Sequence, residues 1–258
     1  MTVVRFYYAV HRALEGLTRL LVVANNGFWL GVLSREQLHA IGQQNYEQTR
    51  LYFTDEYNKR GLWDWERQVL ERDFAGCKKL LLASAGGGRE VLALRKQGFQ
   101  VDAFEPDRGL LEFANGLMER EGLKPDLRWA PWDRCPDFDG QYDGVIVGWG
   151  GYMLIRGREN RIRFLKELRE RVVEGGPILL SFNTAASDRS RVFRGVVRIG
   201  NLFARVLRRE RVEVGDMLTP NFEHFFTREQ VESEMVEAGF TPVYYDKFRF
   251  GHSVGRAA

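Results

Sequence analysis

Apolar residues recur at helical spacing in the first part of the chain. The positions that define this spacing are Val3, Phe6, Tyr7, Val10, Leu14, Leu17, Leu20 and Leu21. They predict a helix from residue 1 to about residue 24, ended by Asn25-Asn26-Gly27, since these residues tolerate positive φ. Ser34 and Gln37 form a capping box for a second helix to about Phe53, and a third is predicted from Trp65 to Phe74. Residues 1–77 are therefore expected to be helical, either as packing helices or as a lid over a substrate.

The pattern changes after Lys78, where short apolar runs alternate with helical segments. The predicted strands cover residues 79–83, 99–104, 127–130, 142–147, 178–182, 240–245 and 250–254. The predicted helices between and after them cover residues 89–97, 109–121, 159–173 and 227–238. Alternation of strand and helix predicts a parallel sheet with right-handed crossovers. The fold class is therefore α/β, with a doubly wound, mostly parallel seven-stranded sheet.

A segment rich in arginine interrupts this order after the fifth strand. Residues 188–213 carry apolar side chains at helical spacing. The other face of this helix carries Arg191, Arg194, Arg198, Arg205 and Arg208. We interpret residues 186–218 as a helical cap inserted into an α/β domain that spans residues 78–258. Three roles stay open for the arginines: a solvated face, a docking site for an anionic or carrier-bound substrate, and contact with a membrane surface.

Composition narrows the class of protein. The formal net charge of +3 gives no broad basic field, so we do not expect nucleic acid as a partner. Cys77 and Cys135 lack the spacing of a metal site, so we expect no metal, no disulfide and a reducing compartment. The longest apolar run near the N-terminus, residues 20–24, is too short for a transmembrane span. A cytoplasmic protein is expected; a homodimer and peripheral membrane contact stay open.

The segment that carries most chemical information is a glycine-rich turn. An apolar run at residues 80–83 leads into Ser84, Ala85 and the glycines 86–88, and a helix follows. Glycines let backbone N–H groups approach a ligand, and the helix aims its positive end at it. The Lys-Ser/Thr of a phosphate-binding loop is missing, and Val91 is too large for the third small residue of a dinucleotide motif. Glu105, about 20 residues on at the end of the second strand, is placed to bind ribose hydroxyls.

These segments together resemble the class I S-adenosylmethionine-dependent methyltransferases. The resemblance rests on residues 80–88, Glu105, the loop 129–133, the strand 142–147 and Gly239-Phe240. It implies S-adenosylmethionine as cofactor and S-adenosylhomocysteine as product. The cofactor-binding residues that it implies are Ser84, Ala85, Gly86, Gly88, Glu105, Pro106, Pro131, Trp132, Asp133, Gly148 and Trp149. The acidic residue that usually opens the glycine motif is missing here, since Leu82 and Ser84 stand in its place. The methionine ammonium group must then be bound elsewhere, for example by backbone carbonyls at residues 148–150.

The candidates for catalysis and substrate binding follow the fourth and fifth strands. His224 is a candidate general base or a structural histidine, and Tyr152 is a candidate substrate contact or a packing residue. Arg89 is either a partner of the methionine carboxylate or a surface residue. The expected activity is methyl transfer to a small or medium-sized acceptor, hydrophobic, aromatic or anionic, and most simply on oxygen, in small-molecule biosynthesis. The alternatives are a non-catalytic protein that binds this cofactor or a nucleotide, and an NAD-dependent oxidoreductase.

Overall fold

A seven-stranded sheet forms the centre of the computed structural model, which describes residues 2–185, 190–247 and 250–258. Its strands are β1 Lys79–Ala83, β2 Gln100–Glu105, β3 Arg128–Trp129, β4 Gly144–Val147, β5 Pro177–Phe182, β8 Phe240–Asp246 and β9 Gly251–Ala257. Their order is β3-β2-β1-β4-β5-β9-β8, and only β9 runs antiparallel to its neighbours. Two more strands, β6 Asp216–Leu218 and β7 Phe222–His224, form a separate hairpin. The predicted fold class is confirmed; the hairpin was not predicted.

Helices cover both faces of the sheet. They are α1 Val3–Val32, α2 Arg35–Thr49, α3 Asp55–Asn58, α4 Asp64–Asp73, α5 Arg89–Lys96, α6 Arg108–Arg120, α7 Arg158–Arg169, α8 Ser190–Leu207 and α9 Arg228–Glu237. Alternate residues of β1 point to opposite faces: Leu80 and Leu82 belong to one hydrophobic cluster, and Leu81 and Ala83 to another. A strand that is buried on both faces is continuously apolar, which explains why the sequence predicted the bounds of β1 correctly.

Local capping signals also predicted helix starts correctly. Ser34 accepts a hydrogen bond from the Gln37 backbone, and the Gln37 side chain accepts one from the Ser34 backbone. Thr227 and Gln230 make the same reciprocal pair at the start of α9. The predicted end of α2 at Phe53 was too late, because Arg50 adopts a left-handed conformation (φ 52°) and stops the helix at Thr49.

The first helix is longer than the sequence predicted. Asn25, Asn26 and Gly27 do not end α1, which continues to Val32. Asn26 donates to the Val22 carbonyl and accepts from the Leu218 backbone, so its side chain is used within the helix and across to β6. Gly27 provides space for Ile199 of α8. Tertiary packing therefore outweighs the local preference of these residues for a helix end.

The arginine-rich helix lies along the C-terminal half of α1. The predicted helix 188–213 was too long at its end, since α8 stops at Leu207 and Arg208 has a φ of 51°. The predicted start of the insertion, residues 186–189, lies outside the described residues. Glycines bring the two helices close: a Cβ on Gly31 would lie 2.4 Å from the Gly200 carbonyl oxygen. Beyond this contact, buried Arg156 donates to the carbonyls of Leu30 and Leu33 at the end of α1.

We predict that Gly31→Ala lowers the stability of the protein by about 1–3 kcal/mol, because the added methyl group forces α1 and α8 apart. Gly16→Ala is the matched control on the same helix. Nothing lies within 4 Å of its added Cβ, and we expect it to raise stability by up to about 1 kcal/mol through helix propensity. Urea unfolding of both variants measures the difference. Equal effects of the two substitutions would contradict the close helix contact.

Candidate functional site

The turn after β1 combines three unusual backbone conformations. Ser84, Gly86 and Gly88 have φ values of 56°, 55° and 95°, and Gly88 begins α5. A Cβ added at Gly86 would meet nothing within 4 Å, and Ser84 and Gly86 both line a cavity at this edge of the sheet. The turn therefore leaves space for a ligand beside Gly86.

Glu105 connects this turn to the next strand. Its carboxyl group is buried at the end of β2 and accepts hydrogen bonds from the backbone N–H groups of Gly86, at 2.6 Å, and Asp107, at 2.9 Å. Burial raises the pKa of Glu105 to about 8, although both hydrogen bonds oppose the rise. The turn after β1 and the end of β2 are thus joined through one acidic side chain.

A cavity of about 370 Å³ opens at the carboxyl ends of the strands. Five of the predicted cofactor-binding residues line it: Ser84, Gly86, Glu105, Trp132 and Trp149. Its other walls come from α2 and the turn that follows it, and from the segment around β7. This is the position at which parallel α/β sheets bind ligands. The N-terminal helical region therefore forms part of the cavity wall.

Four other predicted residues lie in the neighbouring loops without lining this cavity. Ala85 is buried, and its N–H donates to the Phe104 carbonyl. The Pro106 carbonyl accepts from Trp129. Pro131 is exposed, and the Asp133 carboxylate accepts from Arg35 at 3.0 Å and from Arg163. In this structure the side chain of Asp133 thus serves an ion-pair network.

The remaining two predicted glycines allow close contact between parts of the protein. A Cβ on Gly88 would lie 3.2 Å from side-chain atoms of Ala114 and Met118 in α6. A Cβ on Gly148 would lie 2.3 Å from the Ser84 carbonyl oxygen. Neither glycine lines the cavity; both bring the elements that form it into contact.

The two predicted catalytic residues are fully buried and do not line the cavity. Tyr152 donates to Glu234, which also accepts from Arg161. His224 lies in β7 with its Nδ1 atom 2.7 Å from the Asp216 carboxylate. The structure therefore places both side chains in hydrogen-bond networks of the protein interior.

Glu223, the residue before His224 in β7, lines the cavity because side chains alternate between the two faces of a strand. Phe222 and His224 are buried, whereas Glu223 between them is half-buried and lines the cavity. Its carboxylate accepts from the Asn183 side chain at 2.9 Å. Burial raises the pKa of Glu223, and the hydrogen bonds from Thr219 and Asn183 oppose the rise. Side chains alternate between the two faces of a strand, and this alternation could have indicated that Glu223 faces the cavity. The strand β7 itself was not predicted from the sequence.

Polar groups from α2 complete the wall opposite the glycine turn. Asn45 donates to Asn221 at 3.2 Å, and both line the cavity. Tyr46 and Tyr52 also line it, with their ring centroids 5.4 Å apart. Burial raises the pKa of Tyr46, and the nearby Glu105 carboxyl adds to this. The two asparagines were not predicted from the sequence.

Arg89 is bound within the protein. It is buried in the first turn of α5 and makes two hydrogen bonds with the Glu66 carboxylate of α4, at 2.7 and 2.8 Å. A Cβ on Gly87, two residues before Arg89, would lie 2.3 Å from the Tyr52 carbonyl oxygen. These contacts attach the N-terminal helices to the glycine turn, and they occupy the guanidinium group that was a candidate partner of a ligand carboxylate.

Glu213, Asp216 and His224 come together beside the β6–β7 hairpin at distances that a metal ion could bridge. The two carboxylates and the Nδ1 atom of His224 already have hydrogen-bond partners, and only His224 Nε2 is without one among the described residues of the cluster. Glu213 accepts from the Arg158 backbone and from Arg161, and Asp216 accepts from the Glu213 backbone as well as bonding His224. We therefore interpret this cluster as the hydrogen-bond network that fixes the hairpin.

Comparison with solved structures identifies the fold class. The chain is similar to a methyltransferase of Methanosarcina mazei (14% identity, TM-score 0.58, covering 76% of this chain and 98% of that one). It is similar to an amino-pentose methyltransferase of Micromonospora echinaspora solved with S-adenosylmethionine (14%, 0.57, 79% and 95%). A third is the 1,6-didemethyltoxoflavin N1-methyltransferase of Burkholderia thailandensis, solved with its substrate and S-adenosylhomocysteine (16%, 0.58, 88% and 92%). No protein-family model and no curated protein matches the sequence.

The chain therefore has the fold of the class I S-adenosylmethionine-dependent methyltransferases. The residues present fit such a cofactor. The open turn at Gly86 offers backbone groups, Glu105 offers a carboxyl group, and Leu110 and Trp132 offer apolar walls within one cavity. Beyond these groups the cavity is also lined by the polar side chains of Asn183 and Glu223. This part of the cavity can contact a second ligand.

We predict that Glu105 makes the free energy of unfolding of the protein depend on pH. Because its pKa is about 8 in the folded protein and 4.5 is the usual value, the folded state binds this proton more tightly than the unfolded chain does. Its contribution to the free energy of unfolding is therefore greatest below pH 4.5 and decreases as the pH rises to about 8. Glu105→Gln removes this titration.

Urea unfolding of both proteins across this pH range is the measurement. The stability of wild type relative to Glu105→Gln should fall by an amount on the order of a few kcal/mol from the acidic to the basic end. A difference that does not change with pH would show that the carboxyl group is not perturbed.

Proposed function

We propose that this protein transfers a methyl group from S-adenosylmethionine to a small or medium-sized metabolite, on oxygen. The observation that carries the proposal is one continuous cavity with two chemically different ends. Glu105 and Gly86 lie at one end, and Glu223 with Asn183 lies at the other. A group-transfer enzyme needs this arrangement, because it has to hold donor and acceptor side by side.

At the first end, the chain's own groups suit a nucleoside. Glu105 would accept hydrogen bonds from ribose hydroxyls, and Leu110 and Trp132 would hold the adenine ring. The space beside Gly86 and the backbone carbonyls near Gly150 would hold the amino-acid part. When bound, the cofactor supplies an electrophilic methyl group on a sulfonium. The solved structures described above support this assignment, since two of them contain the cofactor or its product.

At the second end, Glu223 is the general base in this proposal. A carboxylate whose pKa is raised by burial accepts the proton of an acceptor hydroxyl more readily near neutral pH. Asn183 orients the carboxylate, and Asn221 and Asn45 offer hydrogen bonds to a polar acceptor. Tyr46, Tyr52 and Trp149 give the site aromatic walls. An aromatic metabolite with a hydroxyl group fits these walls and this base.

We expect Glu105→Ala to weaken binding of S-adenosylhomocysteine by about 10- to 100-fold, because it removes two hydrogen bonds between ribose hydroxyls and the Glu105 carboxyl group, each of which contributes about 0.5–1.5 kcal/mol. Glu112→Ala, an exposed glutamate on α6, is the matched control and should bind as the wild type does. Isothermal titration calorimetry gives both affinities. NAD(H) is titrated in parallel; saturation by NAD(H) with no response to S-adenosylhomocysteine would refute the proposed cofactor and favour hydride chemistry.

We expect Glu223→Gln to lower kcat for a hydroxyl acceptor by about 10²–10⁴-fold, because it removes the base and preserves the shape of the side chain. Affinity for S-adenosylhomocysteine should stay unchanged. The substrate is first found by screening phenolic and other hydroxylated metabolites for transfer of a labelled methyl group. Full activity of Glu223→Gln would exclude the carboxylate as base, and transfer to amines alone would exclude O-methylation.

A further inference from the structure

The first two thirds of α1 extend away from the body of the protein. Every described residue from 2 to 22 is exposed, although many are apolar. The large apolar side chains on one face of this segment are between 41% and 84% exposed: Val3, Phe6, Tyr7, Val10, Leu14, Leu17, Leu20 and Leu21. Contiguous exposed apolar surface of this kind marks an interaction site.

The exposed apolar face of α1 is the N-terminal continuation of the face that packs on α8. Val3, Val10 and Leu17 are seven residues apart and share one side of the helix, as do Tyr7, Leu14 and Leu21. Gly27 and Gly31, which contact α8, lie seven residues after Leu20 and fourteen residues after Leu17, on the same side of the helix. The exposed part of this face extends past the point where α8 begins and has no partner among the described residues.

A strongly basic surface lies on α8 and the segment after it, next to the C-terminal part of α1. Five arginines line one open groove: Arg198, Arg205, Arg208, Arg209 and Arg211. None of them makes an ion pair with another described residue. The two acids of this segment are engaged elsewhere, Glu210 with Arg35 and Glu213 with Arg161. The guanidinium groups of the groove are thus available to anionic groups.

Charge is concentrated in these two segments. Residues 2–32 contain three arginines and one glutamate, and residues 190–213 contain seven arginines and two glutamates. Together they carry a net charge of +7, whereas the whole chain carries +3. The rest of the protein is therefore acidic, and a negatively charged surface attracts the protein in one orientation, with α1 and α8 towards it.

We propose that α1 and the arginine groove of α8 form a docking surface for an anionic lipid membrane. The apolar face of α1 inserts at the level of the acyl chains near the headgroups, and the arginines bind lipid phosphates. A second copy of the chain is the competing occupant. It would bring two surfaces of charge +7 together, which electrostatic repulsion disfavours.

None of the described helices is by itself long and apolar enough to cross a membrane. Only α1 and α2 taken together, bent by 120°, have the length and composition for it.

The test is flotation of the full chain with vesicles of phosphatidylcholine alone or mixed with phosphatidylglycerol, at low and high salt. Two double variants separate the components: Val10→Asp with Leu17→Asp, and Arg198→Glu with Arg205→Glu. Val236→Asp, an equally exposed apolar position on α9, is the matched control. Circular dichroism and urea unfolding confirm that each variant is folded.

Wild type and Val236→Asp should float with the anionic vesicles at low salt, and each double variant should lose binding roughly tenfold or more. Equal flotation with neutral vesicles, no flotation of the wild type, or wild-type flotation by either double variant would overturn the proposal. Sedimentation velocity tests the competing occupant. A wild-type dimer that Val10→Asp with Leu17→Asp converts to monomer, without vesicle binding, would identify this face as a dimer interface. The test does not depend on the proposed methyl transfer.

Discussion

Removing a carboxylate from water is unfavourable unless hydrogen bonds replace those that water made, and this constraint determines the arrangement of the site. Glu105 satisfies it with the backbone N–H groups of Gly86 and Asp107. The first bond reaches across from β2 to the turn after β1, so the shape of the glycine turn depends on the ionisable side chain that faces the cavity. Burial still makes the Glu105 carboxyl group difficult to ionise. A ligand that donates further hydrogen bonds to this group therefore stabilises its ionised form.

The opposite wall depends on a similar constraint in the β6–β7 hairpin. Asp216 and His224 bond to each other in a fully buried position, and this fixes the direction of every second side chain in β7. The side chain of Glu223 therefore points to the cavity because its buried neighbours in β7, which do not line the cavity, are fixed in place. His224 positions the site through the backbone, and Glu223 supplies the chemistry in the function that we propose.

The sequence predicted what is determined locally. Capping boxes at Ser34 and Thr227, the buried run of β1 and the glycine turn each depend on residues that are close in the chain. The length of α1 was predicted wrongly, because Asn26 is held by Leu218, far away in sequence. Glu223 was missed for the same kind of reason. The strand that orients it exists only through pairing with β6, and a three-residue strand has no recognisable periodicity of its own.

Arg89 and Gly87 limit how this chain can be recombined with others. Arg89 is buried on the sheet side and its carboxylate partner, Glu66, lies in the N-terminal helices. A chimera that exchanged residues 1–77 for those of another protein of this fold would remove Glu66 and leave Glu90 as the carboxylate partner of the buried guanidinium group, which destabilises the folded state. A bulkier residue than Gly87 would also collide with the Tyr52 carbonyl. The N-terminal helices and the glycine turn are therefore inherited together, and a change in the ligands that the cavity accepts has to arise by substitution within the chain.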